Sequence, residues 1–200
     1  MPNKEAQTKL NIHPLIKQRW SPRAFSEKAV ETDKLERLLE AARWSASCFN
    51  EQPWRFVVGL KDQNHAYDKI FKSLAEGNRL WCKNVPVLIL LVAKRTFTHN
   101  KKINKWAFYD LGQAAAYISL QAMAEGLYVH QMAGFDAQQI AKAFEIPDDF
   151  EPFTVMAVGY LGEATSLPED LKNIELSVRQ RKPLNELVFG DGWRKPFFNG

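Results

Sequence analysis

Cysteine is scarce in this chain: Cys48 and Cys82 are the only two among 200 residues. That excludes a disulfide framework and a four-thiolate zinc site. His13, His65, His99 and His130 are scattered without the short helical spacing of a metal site, so no metal is expected. The glycines are spread thinly, and no P-loop, no G-x-G-x-x-G after a strand and no G-x-S-x-G elbow occurs. P-loop phosphate binding, Rossmann dinucleotide binding and serine-dependent acyl transfer therefore lack a sequence anchor. Long apolar runs are missing as well. The longest, VPVLILLVA at residues 85–93, is far too short to span a bilayer and reads as a buried strand. The opening MPNKEAQTKL lacks the apolar core of a signal peptide, so a cytoplasmic protein without a membrane partner is expected. A dense basic run is absent too. The formal charge of +4 and a pI near 9.0 suit a phosphorylated small ligand. The closest approach to a nucleic-acid footprint, THNKKINK at residues 98–105, reads as a solvated loop, so nucleic acid is not an expected partner.

The chain does have 46% hydrophobic and 25% charged residues, enough for one globular domain over 1–200 with a sizeable core. Leu35, Leu38, Leu39 and Ala42 recur at helical spacing, which predicts a helix capped by Thr32 or Asp33 and running to about Ser45. WRFVVGL (54–60) predicts a strand buried on both faces, followed by a polar helix near 64–76 and a strand over 87–94. KWAFYDLGQAAAYISLQAMAEGL (105–127) is the longest helical segment, closed by Gly126, and its small residues Gly112, Ala114, Ala115 and Ala116 suit deep burial or close helix contact. YVHQM (128–132) is a short strand, Asp136 caps a helix to about Phe144, and FTVMAVGYL (153–161) is a core strand. Helices mixed with four core strands make an α+β or α/β domain. Beyond Gly162 the chain turns irregular. Residues 163–200, carrying Leu187, Val188, Phe189, Trp193, Phe197 and Phe198, form an extended arm that needs an apolar surface, and a partner subunit offers one.

Two stretches carry chemistry. QRWSPRAF (18–25) sets Arg19 and Arg23 around Ser21, an anion site built without glycine. SASCFNEQPWRFVV (45–58) packs Ser47, Asn50 and Gln52 directly before Pro53. Amide side chains provide the donors and acceptors that the edge of a flat heterocycle requires; capping and turn chemistry explain the same residues equally well. With no protein nucleophile or metal to hand, an enzyme of this size would borrow its reactivity from an organic cofactor. His130, inside a short apolar strand, is expected as a hydrogen-bonded core residue rather than a catalyst, and Cys48 as a small buried hydrophobe.

RWSPRAF followed by SASCFNEQPWRFVV resembles the FMN-dependent nitroreductase family, with its R-x-S-x-R-x-F and P-S-x-x-N-x-Q-P-W-like signatures. The similarity continues in order through GNRLWCKNVPVLILLVAK, DLGQAAAYISLQAMAEGL, QMAGFDAQQIAKAFEIP, AVGYLGE and RQRKPLNELV. The resemblance implies an α+β fold with a central, mostly antiparallel sheet flanked by helices. It implies a homodimer with FMN in the interface and an exchanged C-terminal arm. It also implies NADH or NADPH as donor and a nitroaromatic, quinone or similar small-molecule acceptor, with hydride passing through flavin N5 and no side chain acting as catalyst.

By the same resemblance Arg19 and Ser21, with Arg179 and Arg181 from RQRKPL, grip the flavin phosphate, while Arg23 is either a ligand contact or a structural ion pair. Trp20 lies between the contact residues as a spacer. Ser47, Asn50 and Gln52 match positions facing the ribityl chain and ring, Asn78 an amide reading the pyrimidine edge, and Met132, Ala133 and Gly134 the strand-end backbone near N5. Ala133 and Trp81 depart from members that carry charge at those positions. Trp81, Trp106, Phe108 and Tyr109 are candidates for the acceptor pocket, with a buried aromatic stripe as the alternative for the last three. The same scaffold also suits dehydrogenation, dehalogenation or flavin-destroying chemistry, and a non-catalytic FMN-binding module stays open beside them.

Overall fold

The β-branched and aliphatic runs of the chain pair with one another into a single sheet. In the computed structural model, which describes residues 4–198, the strands are β1 (Trp54–Leu60), β2 (Val87–Lys94), β3 (Tyr128–Met132) and β4 (Phe150–Gly159). Residues 1–3 and 199–200 of the expected domain and arm lie outside the described residues. The order is β1-β2-β4-β3 and every pairing is antiparallel, in keeping with the expected α+β class. Central β2 is buried from Val87 to Ala93 because both of its faces are covered. Its alternate residues serve two layers. Val87, Ile89 and Leu91 pack with helices α2 (Thr32–Arg43) and α5 (Ala107–Ala124), whereas Leu88, Leu90 and Val92 pack with α3 (His65–Ser73), α4 (Glu76–Cys82) and α6 (Ala137–Ala143). Each such fully buried aliphatic side chain contributes about 1.5–3 kcal/mol.

Several expectations need correction. β1 is an edge strand, so Phe56, Val57 and Val58 are only partly covered, not buried on both faces. β4 starts at Phe150 and already contains Pro152, tolerated because β3 pairs only with Val155 to Gly159 and the register against β2 shifts beside Val92. Glu31, not Thr32 or Asp33, occupies the cap position of α2, without a side-chain bond. The helix expected near 64–76 is α3 and stops at Ser73, since Leu74 leaves helical geometry to bridge to Phe135; α4, beginning afresh at Glu76, is a further helix that was not expected. Asn64 caps α3 through Tyr67 N, as Asp136 caps α6 through Gln139 N.

At the end of α5, Gly126 takes φ +72° while Leu127 N donates to Ala122 O at 2.8 Å, a Schellman closure that a β-carbon would strain. A short α1 (Pro14–Gln18), capped by His13, precedes the QRWSPRAF stretch. The region expected to be irregular after Gly162 contains α7 (Glu169–Leu176). No described helix is long and apolar enough to cross a membrane.

Candidate functional site

Arg19 leaves the end of α1, and the segment that follows is tied down at three places. Phe25 bridges to Leu161, with Ser26 N donating to Tyr160 O and Gly162 N to Ala24 O, both at 2.9 Å. A β-carbon on Gly162 would lie 2.5 Å from the Phe25 carbonyl carbon, so only glycine permits this approach. His130 Nδ1 donates to Pro22 O at 2.8 Å. The Arg23 and Ala24 amides donate to the buried Glu175 carboxylate of α7 at 3.0 Å, which docks α7 against this segment.

Held in this way, Arg19, Ser21 and Arg23 line a cavity of about 200 Å³ together with Lys4, Trp20, Glu175, Arg179 and Arg181. Arg19 Nη1 donates to Ser21 Oγ at 3.2 Å. None of the ion pairs among the described residues uses Arg19, Arg23, Arg179 or Arg181. Among the described residues the structural ion pair considered for Arg23 is therefore not formed, and its scaffold contact is made by its backbone. Burial first, and then the charges of Arg179 and Arg181, draw the Arg19 guanidinium below its ordinary pKa; burial and Arg181 do the same to Arg179. Guanidiniums clustered in this way, without an ion-pair partner among the described residues, are stabilised by a polyvalent anion, which arginines contact through planar forks. Trp20 packs edge-on against Tyr128, with centroids 6.3 Å apart.

The second stretch is strained. Phe49, Asn50 and Gln52 take φ of 52°, 54° and 51°, left-handed values that cost a residue with a β-carbon on the order of 1–3 kcal/mol each. Surrounding contacts hold the loop in place. Buried Asp110 of α5 accepts from Cys48 N at 3.0 Å, and Ser47 Oγ accepts from Gln52 N at 3.0 Å. Glu51 accepts from Thr98 N at 2.9 Å and pairs with Lys94 Nζ at 3.1 Å. Burial raises the Asp110 carboxyl pKa, partly offset by the Cys48 amide; burial would raise Glu51 too, but Thr98 and Lys94 hold it low. Cys48 is half-buried rather than a core hydrophobe, and its amide, not its thiol, does the holding. Neither Asp110 nor Glu175 was identified from sequence. The faint signals were an acid inside the otherwise uncharged run FYDLGQAAA and another beside RQRK.

At the end of β3, Gly134 O accepts from Asn78 Nδ2 and from Ala75 N, both at 2.9 Å. A β-carbon built on Gly134 would lie 2.9 Å from Asn78 Nδ2, so the glycine leaves room for this amide. Met132 is buried, with its sulfur 3.6 Å from Cys82 Sγ, whereas Ala133 is exposed. Trp81 requires correction as an acceptor-pocket candidate: its indole is 4% exposed and lies against Phe25 and His130 in the core. Phe108 stacks on Phe153 at 4.4 Å beneath the Arg95 guanidinium. Trp106 and Tyr109, edge to face at 6.1 Å, are exposed. Among the described residues no cluster of three or more His, Cys, Asp or Glu could hold a metal ion.

The fold thus gathers Arg19, Ser21, Arg179 and Arg181 in one cavity and joins Asn78 to Gly134. It does not bring Ser47, Asn50 and Gln52 to them. Their loop feeds β1 and Met132–Gly134 leaves β3, which are opposite edges of the sheet, about 14 Å apart at three strand spacings.

The profile of the Nitroreductase family matches residues 16–160. A crystal structure described as an oxidoreductase containing FMN superposes with a TM-score of 0.89 at 32% identity, covering 96% of this chain and 98% of that one. An uncharacterized 15.4 kDa protein from the ask 5′ region of Mycolicibacterium smegmatis is 32% identical over 149 residues, 71% of this chain and 99% of the relative. A Methanothermobacter thermautotrophicus protein, provisionally named NADH dehydrogenase/NAD(P)H nitroreductase, is 26% identical over 160 residues, 78% of this chain and 80% of the relative.

Proposed function

Because the chain belongs to the nitroreductase family, we propose that it is an FMN-dependent oxidoreductase that takes reducing equivalents from NADH or NADPH and delivers them to nitroaromatic, quinone or similar electron-poor small molecules. The observation that carries this reading is the cavity where Arg19, Arg179 and Arg181 converge without an ion-pair partner among the described residues. A phosphate monoester dianion fits that donor set in charge and in fork geometry. When bound, the flavin supplies hydride chemistry that no side chain here supplies.

The chain's own residues bind and orient. Arg19 and Ser21, with Arg179 and Arg181, hold the phosphate end. Asn78, fixed by its bond to Gly134 O, presents its amide edge to the pyrimidine, and the exposed backbone around Ala133 borders the ring. Ser47, Asn50 and Gln52 sit on the opposite sheet edge, so a second copy supplies them to each site. The exposed apolar side chains Trp44, Phe49, Trp106 and Tyr109 give that copy a surface to cover, and the exposed Leu187, Trp193 and Phe197 of the C-terminal arm reach onto it.

The test is anaerobic titration of the FMN-loaded protein with NADH and with NADPH, followed by addition of a nitroaromatic or a quinone. Bleaching and recovery of the flavin absorbance is the expected result. Flavin that stays oxidised under excess of both nicotinamides would make the protein a binding module, and failure to take up FMN at all would refute the flavin reading.

A further inference from the structure

The arginine cavity contains a further cation, brought there by the N-terminal segment. Lys4 lines the cavity alongside Arg19, Arg179 and Arg181. Its segment is strapped across the C-terminal one: Arg179 Nη1 donates to Lys4 O at 2.7 Å and to Lys17 O at 3.2 Å. Ala6 N donates to Lys17 O at 2.8 Å, and Lys17 Nζ pairs with Glu5 at 3.2 Å. The Lys4 ammonium lies 5.1 Å from the centroid of the Trp20 ring and donates to Ser177 O. No ion pair among the described residues includes it. An ammonium has three N–H donors, so the Ser177 carbonyl leaves two for a ligand.

The arginines around it are partly committed. Arg179 Nη1 serves the strap, and Arg181 Nη1 donates to Gln180 O. Glu175, the carboxylate lining the cavity, accepts from the backbone of Arg23 and Ala24. Burial and the Arg179 charge disfavour the Lys4 ammonium while Glu175 favours it, so an anion in the cavity would restore what burial removes.

We infer that Lys4 is a direct ligand of the flavin phosphate, held over it by the strap that Arg179 fastens. This rests on the FMN reading of the cavity. Lys4 then makes the chain select a phosphorylated flavin over the unphosphorylated one, and Arg179 acts on the phosphate partly by positioning Lys4.

The experiment compares FMN with riboflavin, titrated into flavin-free full-length protein at low salt and followed by quenching of flavin fluorescence. Wild type, Lys4→Met, Lys4→Arg and Arg19→Ala are measured in parallel, with circular dichroism to verify folding. Lys4→Met should weaken FMN roughly tenfold, the scale of one charge-assisted hydrogen bond, leave riboflavin affinity unchanged, and be largely rescued in Lys4→Arg. Lys4→Met with the wild-type FMN-to-riboflavin preference, while Arg19→Ala loses it, would overturn the role of Lys4 and leave the phosphate site standing. Equal weakening of both flavins would show the strap to be structural and would also overturn it. A preference unchanged even in Arg19→Ala would instead refute the phosphate reading of the cavity.

Discussion

At His130 burial and hydrogen bonding pull in opposite directions. Burial lowers the imidazole pKa from 6.5 to about 4; the Pro22 carbonyl raises it, and Arg23 and Arg19 oppose a further positive charge. The neutral ring with its proton on Nδ1 is therefore the native form, and it holds the QRWSPRAF backbone through Pro22. Because the folded pKa is depressed for a base, its stabilising effect is complete above about pH 6.5. It is lost as the pH falls toward 4, by up to about 3 kcal/mol for a shift of this size. Denaturant unfolding of wild type and His130→Gln at pH 7 and pH 4.5 should reveal a steeper acid loss in wild type; equal slopes would rule out this role. Arg19 lies on the same segment and has no carboxylate partner among the described residues. Arg19→Ala should weaken FMN by about 1–3 kcal/mol with little effect on unfolding, measured by flavin retention on dialysis. Arg19 was legible in the sequence because the R-x-S spacing is local. Glu175 was not, since its hydrogen-bond partner Arg23 lies 152 positions away.

Strands and helices were legible where a local pattern decides them. β1, β2 and β3 fall where the apolar runs put them, and the ends of α5 and α6 follow from Gly126 and Asp136. The break between α3 and α4 was not legible, because its cause is Leu74 pairing with Phe135, a contact between distant parts of the chain. The Cys48–Gln52 loop belongs to the same class. Its composition promised polar edges, yet its left-handed backbone depends on Asp110 and Glu51. Asp110→Ala should release that backbone. Leaving the Cys48 amide without its partner costs about 1–3 kcal/mol, and the lower end is expected because a buried carboxyl is removed with it. FMN binding should weaken as well, since Ser47, Asn50 and Gln52 lose their placement. Unchanged denaturation midpoint and unchanged flavin affinity together would reject Asp110 as the support of this loop.

Across the whole molecule, the sheet order keeps the two halves of the proposed flavin site apart, on β1 and on β3. The C-terminal arm ends in exposed apolar side chains, with Trp193 82% exposed. If the arm closes the proposed dimer, the full chain should sediment as a dimer and the chain truncated after Lys182 as a monomer that no longer retains FMN, while α7 and its Glu175 contact remain intact. A truncated chain that stays dimeric would remove the arm from the interface. Composition and periodicity by themselves determined a domain of mixed helices and strands, the approximate places of the core strands and an anion-site candidate around Arg19 and Ser21; the α+β class and the roles of Arg179 and Arg181 came with the family resemblance. Composition and periodicity reach that far because backbone geometry responds to neighbours two to four positions away. Only the tertiary structure decided that Trp81 belongs to the core, that Asn78 is tied to Gly134, and that Lys4, Arg19 and Arg181 face one cavity. Those outcomes depend on contacts between segments far apart in the chain, and local spacing carries no record of them.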